Sequence, residues 1–247
     1  MKGGNPAHRL RIEHGAGLIE VMIAMVIGLV LLFALVYFFL GGRLVNRTSD
    51  DVSRMQESGR NAIELMGRAI RQAGYRTDDD VGLDIAFSVS GIAITGTGGA
   101  PGLPDTITVQ YAAQAGGEAD CVGTNVAAGL VTARFAVKNK LTVPSADPPV
   151  LTCNDIVVVD NIEDVQITYG IDGDRDGNIE FYKTAPTATE FGQVAAVRVS
   201  LLVRGPSLNV ATNHTQTYLY NGVKVTSTDG YLRQVYDATF TVRNQAW

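Results

Sequence analysis

The sequence predicts an α+β protein: one long N-terminal helix, its first half able to span a membrane, packed on a domain built from a largely antiparallel β-sheet. Three observations predict it. Residues 16–40 are apolar except for Glu20. Residues 52–73 keep a helical repeat of apolar side chains. From about residue 85, short β-rich runs alternate with clusters of Gly, Pro and Asp. A helix followed by a run of strands is the α+β pattern, and the absence of intervening helices favours antiparallel pairing.

Residues 1–15 form a short leader carrying Lys2, Arg9 and Arg11 against Glu13. A helix over residues 16–40 rises about 37 Å, enough to cross a hydrocarbon core of roughly 30 Å. Basic residues ahead of an apolar helix keep that end in the cytoplasm, so residues 75–247 lie across the membrane. A carboxylate inside such a helix is expensive in lipid, which makes Glu20 a candidate functional residue. An ordinary secretory signal has an apolar region of about 7–15 residues before a small-x-small cleavage site, and this stretch is longer. A plain single-pass anchor leaves Glu20 without a role.

Residues 41–74 continue the helix in amphipathic form. Val52, Met55, Gly59, Ala62, Ile63, Met66, Ile70 and Ala73 share one face, and Arg54, Glu57, Arg60, Glu64, Arg68 and Arg71 lie mostly opposite. Gly41-Gly42 interrupts helix propensity, and Gly74 suits a helix end. Strands are expected at 85–95, 106–112, 130–137, 155–171, 194–204 and 231–244. The fourth is long enough for two strands with a turn at 161–164. Seven prolines, from Pro101 to Pro206, fall between these runs, where no ladder needs their missing N–H.

Residues 172–180 read Asp-Gly-Asp-Arg-Asp-Gly-Asn-Ile-Glu. Oxygen-bearing side chains alternate at Asp172, Asp174 and Asp176, Gly177 permits a sharp turn, and Glu180 closes the run. Several hard oxygens aimed at one centre suit Ca²⁺. The run resembles the short D-x-D-x-D-G-x-x-D/E calcium loop. A full EF-hand would need a glutamate where Lys183 stands. The expected ligands are the carboxylates of Asp172, Asp174, Asp176 and Glu180 with the backbone carbonyl of Asn178. The plain alternative is an acidic turn between strands.

Cys121 and Cys153 are the two cysteines. Outside the cytoplasm an isolated pair is expected to be bridged, the alternative being two buried thiols. Closing a loop of about 30 residues stabilises by about 3–4 kcal/mol in the chain-entropy view. Net charge is −5, and loss of the leader makes the remainder more acidic, which argues against nucleic acid as a partner. Catalysis finds no support: of His8, His14 and His214, the first two lie in the leader, and no phosphate-binding glycine loop occurs.

A basic leader ending in Gly15, followed by an apolar helix with Glu20 at its fifth place, resembles the class III signal of type IV pilins and type II secretion pseudopilins. The resemblance implies a pilin-like fold, cleavage between Gly15 and Ala16, N-methylation of Ala16, and pairing of Glu20 with the terminal amine of a neighbouring subunit. Ala16 and Gly17 depart mildly from the Phe or Met and Thr or Ser usual there. The stretches RMQESGRNAIELMGRAIRQAGYR and ATFTVRNQ resemble the PilW family of minor pilins more narrowly, while the middle of the chain diverges. That family implies a non-enzymatic protein of the inner membrane and then the pilus surface. It would prime pilus assembly within a tip-located complex. Its partners would be other minor pilins, the major pilin, the inner-membrane assembly platform and a tip adhesin. The alternatives are a type II secretion minor pseudopilin and, in another class, a membrane-anchored calcium-binding adhesion module.

Overall fold

A computed structural model describes residues 17–76, 92–98, 102–113, 119–126, 129–139, 148–208 and 215–244. The chain divides into two units, Met1–Asn46 and Arg47–Trp247. Helix α1, Leu18–Gln72, has residues in both. It remains helical through Gly41-Gly42, so the two glycines do not break it.

In the first unit, Leu18–Phe39 is a 22-residue stretch long and apolar enough to cross a membrane, with none of it buried. The Gly17 carbonyl accepts from the N–H groups of Glu20 and Val21 at 2.9 and 3.2 Å, which closes the first turn.

In the second unit, the helix buries the face the sequence marks out. Met55, Ala62, Met66, Ile70 and Ala73 lie in the core, while Arg54, Glu57, Arg60, Glu64 and Arg68 are exposed. Asp51 is a buried exception. Its carboxylate accepts from the Ser207 N–H at 3.1 Å and the Ser207 hydroxyl at 2.8 Å. The helix ends where Gly74 adopts φ +75° and donates its N–H to the Gln110 carbonyl at 2.9 Å.

Eleven strands form three antiparallel sheets among the described residues. The first sheet is a meander in the order β1 (Ile94–Thr97), β2 (Thr106–Ala113), β3 (Gly129–Lys138), β4 (Val150–Cys153) and β5 (Ile156–Asp160). The second has the order β11-β8-β6-β7, from β6 (Ile162–Ile171), β7 (Phe181–Lys183), β8 (Val194–Arg204) and β11 (Arg233–Thr241). Strands β9 (Gln216–Tyr220) and β10 (Val223–Ser227) pair as a hairpin, and a short helix α2 (Ala188–Phe191) precedes β8. The core joins the helix face to Ile107, Val109, Phe135, Leu151, Ile167, Tyr169, Val199 and Leu201 from both large sheets.

Most expected strands are present. The expected run at 85–95 lies outside the described residues up to residue 91, and its end falls in β1. The long run at 155–171 does divide in two, but the turn is Asn161 alone, at φ +67°. Ile162, Glu163 and Asp164 already belong to the next strand, which sits in the other sheet. A single left-handed residue redirects the chain from one sheet into the other, so no four-residue turn is needed. Strands β4, β7, β9 and β10 and helix α2 are additions to the sequence reading.

Candidate functional site

The loop between β6 and β7 gathers the four carboxylates. One oxygen from each of Asp172, Asp174, Asp176 and Glu180 falls within 4.8 Å of the others. Backbone donors shape the loop. Gly177 N–H donates to Asp172 Oδ2 at 2.9 Å, Gly173 N–H to Glu180 Oε2 at 3.0 Å, and Asp176 N–H to Asp174 Oδ1 at 3.3 Å. Gly177 stands at φ +91°, a conformation that glycine adopts freely.

Asn178 enters as a donor, its N–H and side-chain amide both reaching Asp176 at 2.8 and 2.9 Å. Those two bonds lower the Asp176 carboxyl below its ordinary range, and the Gly173 N–H does the same for Glu180. Asp174 shifts the other way. The Asp176 N–H pulls it down, but partial desolvation and the neighbouring charges of Asp176 and Glu180 outweigh that pull.

Asp172 is the decisive member. It is 1% exposed, and its Oδ1 has no hydrogen-bond partner among the described residues. A buried carboxylate oxygen without a donor is costly, and a cation among four carboxylates relieves both the desolvation and the repulsion. The residues therefore fit a hard cation held by oxygen ligands.

Cys121 and Cys153 are joined in a disulfide with a sequence separation of 32. Cys153 is fully buried on β4, and Cys121 lies in a turn organised by Asp120, whose carboxylate accepts from the N–H groups of Val122 and Thr124 at 3.0 and 2.8 Å. The bridge ties this turn to the first sheet. Glu20 is exposed in the first turn of α1. Gly15 and Ala16, the expected cleavage and methylation residues, lie outside the described residues, as does His214.

Residues missed by the sequence reading are Glu163, Asp229 and Arg233. Arg233 is a buried cation whose side chain is 5% exposed, and it bonds both carboxylates. Glu163 and Arg233 stand 70 residues apart, so no local spacing announces the pair.

Comparison with known proteins finds a likeness in the C-terminal part of the chain. Residues 150–244 match the family model PilW, type IV pilus-assembly protein W. The PilW resemblance seen in the helix and the closing stretch thus extends through strands β4 to β11, where the sequence reading expected divergence. The acidic loop and Arg233 lie inside the PilW match, whereas Glu20 and Cys121 lie outside it. A type IV-like pilin from Thermus thermophilus superposes with a TM-score of 0.46 at 14% identity, over 81% of this chain and 97% of that one. No curated protein matches the chain. The match is a likeness to a type IV pilus-assembly family over those residues, and the apolar helix is long enough for a membrane anchor.

Proposed function

We propose that this chain is a minor pilin that takes part in priming and assembling a type IV pilus, as a member of a tip-located minor pilin complex. The observation that carries the reading is the match of residues 150–244 to a pilus-assembly family. The precursor waits in the inner membrane with residues 16–40 as its span. Cleavage after Gly15 leaves Ala16 as an N-methylated terminus. On assembly the apolar helices leave lipid and pack together as filament core, beside other minor pilins, the major pilin, the assembly platform and a tip adhesin.

Glu20 explains why packing selects one axial register. A carboxylate and an ammonium each cost several kcal/mol alone in a low-dielectric setting and offset each other in contact. Glu20→Ala is expected to abolish incorporation into pili while the sheet domain keeps its melting temperature, read by pilus shearing and circular dichroism. Incorporation at the wild-type level would remove the proposed role of Glu20. Mass spectrometry of the mature N-terminus tests the processing step. Methyl-Ala16 is expected, and a functional chain that retains Met1 to Gly15 would overturn the reading. A type II secretion pseudopilin shares the same N-terminal physics, and it predicts loss of secretion with twitching motility intact.

The acidic loop is assigned to structural Ca²⁺, with Asp172, Asp174, Asp176 and Glu180 as carboxylate ligands and the Asn178 carbonyl completing the set. Several hard oxygen donors converging from one loop favour Ca²⁺ over softer ions. Millimolar Ca²⁺ is expected to raise the melting temperature by several degrees, and Asp176→Ala to remove the rise. An unchanged melting temperature of the wild-type protein on adding Ca²⁺ would dismiss the site.

A further inference from the structure

A cleft of about 580 Å³ opens where β6 and β8 meet the β9–β10 hairpin. Its walls carry Glu163, Asp164, Arg204, Tyr218, Tyr220 and Tyr231. Neighbouring residues of a strand normally face opposite sides. The pairing of β6 with β8 shifts register between Ile162 and Asp164, and at this bulge Glu163 and Asp164 both reach the cleft.

The acidic groups there are not equally compensated. Arg233 Nε and Nη2 donate to Glu163 at 2.8 and 2.9 Å, and its Nη1 and Nη2 donate to Asp229 at 2.7 and 2.6 Å. Asp164 has no cation against it among the described residues. It accepts from the Val165 N–H at 2.9 Å and the Gln166 amide at 3.2 Å, both neutral. The Tyr220 hydroxyl, which donates to the Ser200 carbonyl at 3.3 Å, also faces it. Burial pushes the Asp164 carboxyl up to about 6, against the pull of Tyr220, Gln166 and Val165 and with a further push from Asp105.

The rest of the wall suits an alkyl-borne cation. Arg204 already stands over the Tyr231 ring, 4.4 Å from its centroid, so this cleft holds one cation on a tyrosine face. Leu202 and Val225 supply apolar surface for a methylene chain.

We propose that this cleft binds a primary ammonium at the end of an alkyl chain, carried by a partner protein's lysine or by a free diamine, with Asp164 as counter-ion and Tyr218 and Tyr220 beside it. The bound ammonium offsets the desolvation of Asp164, and the chain covers the apolar wall. This inference is independent of the pilus and calcium readings. Binding requires ionised Asp164. The other charged and titratable groups facing it are Glu163 and Asp229, both held by Arg233, with Arg204, Asp105, Tyr218, Tyr220 and Tyr231. An alkylammonium stays charged across neutrality, so affinity rises as pH rises through about 6.

The test uses the full chain in detergent micelles, labelled at the tyrosine ring carbons and titrated with cadaverine or with Nα-acetyl-lysine amide. Pentanol serves as the uncharged control. Saturable shifts at Tyr218 and Tyr220 are expected at millimolar probe near neutral pH, falling at least about tenfold in affinity near pH 5. Asp164→Asn abolishes them with the fold retained by circular dichroism, and Tyr218→Leu weakens them several-fold if Asp164→Asn proves unstable. Similar binding of both probes assigns the site to the ammonium itself. Preference for the lysine derivative assigns a protein ligand, and preference for cadaverine a free diamine. Absence of saturable shifts, equal shifts with pentanol, or undiminished shifts in a folded Asp164→Asn protein would overturn the proposal.

Discussion

Arg233→Met is expected to cost about 3 kcal/mol and to lower the melting temperature by about 10 °C. The guanidinium makes two bidentate pairs, to Glu163 on β6 and to Asp229 at the turn before β11, and its Nη1 also reaches Ser227 Oγ at 2.9 Å. It therefore ties the hairpin and the edge strand β11 to the centre of the second sheet. Methionine keeps much of the volume but leaves two carboxylates facing each other. Glu163 is 26% and Asp229 45% exposed, so water recovers part of the loss, which keeps the cost below that of a fully buried pair. The triple variant Arg233→Met, Glu163→Gln, Asp229→Asn is expected to regain more than half of it, because the uncompensated charge is then gone. A single variant as stable as wild type, read by thermal denaturation in one detergent, would show that these pairs contribute nothing.

The same network sets a pH dependence. The bonds from Arg233 lower the Asp229 carboxyl below its ordinary range, against its partial burial. A carboxylate with a depressed folded pKa contributes stability that is present above its unfolded value, near 4, and is lost as pH falls through the folded one. Arg233 itself is pushed down by burial and raised further by Asp229 and Glu163, so it stays charged throughout.

What the sequence makes legible here follows from periodicity. The buried face of α1 and the strands at 106–113 and 129–138 repeat every 3.6 or 2 residues, and burial enforces that repeat, whereas 194–204 reads as a near-continuous apolar run because both its faces are covered. The clustering of the acidic loop is legible because its four carboxylates fall within nine residues. Local signals were also overlooked. Asn221-Gly222, at φ +49° and +76°, is the dipeptide that a two-residue hairpin requires, and it marks β9–β10 between two β-rich runs. Thr187 and Glu190 spell the capping box of α2, with Glu190 N–H bonded to the Thr187 hydroxyl. The division of the strands into separate sheets is another matter. It depends on the left-handed turn at Asn161, on the bulge at Ile162–Asp164 and on pairs such as Glu163–Arg233. No window of the sequence contains both halves of such a pair.

Gly96→Ala is expected to destabilise the protein by about 3 kcal/mol, the upper part of the range for overpacking a closed core. A Cβ at Gly96 would stand 2.0 Å from the Tyr169 hydroxyl and 2.5 Å from the Thr106 carbonyl. Gly96 lies on β1 of the first sheet and Tyr169 on β6 of the second, so this glycine marks a close approach of the two sheets. Tyr169 cannot easily yield. It is fully buried and packs edge-on against Phe191, with centroids 5.2 Å apart and planes at 79°. Its hydroxyl has no hydrogen-bond partner among the described residues, so Tyr169→Phe alone is expected to be close to neutral or mildly stabilising. The double variant Gly96→Ala, Tyr169→Phe removes the shorter contact but leaves the one to Thr106. It is therefore expected to recover part of the loss, giving a coupling of about 1–2 kcal/mol in a double-mutant cycle. Strict additivity of the two substitutions would mean that the sheets part at Gly96 and that the hydroxyl does not set their spacing.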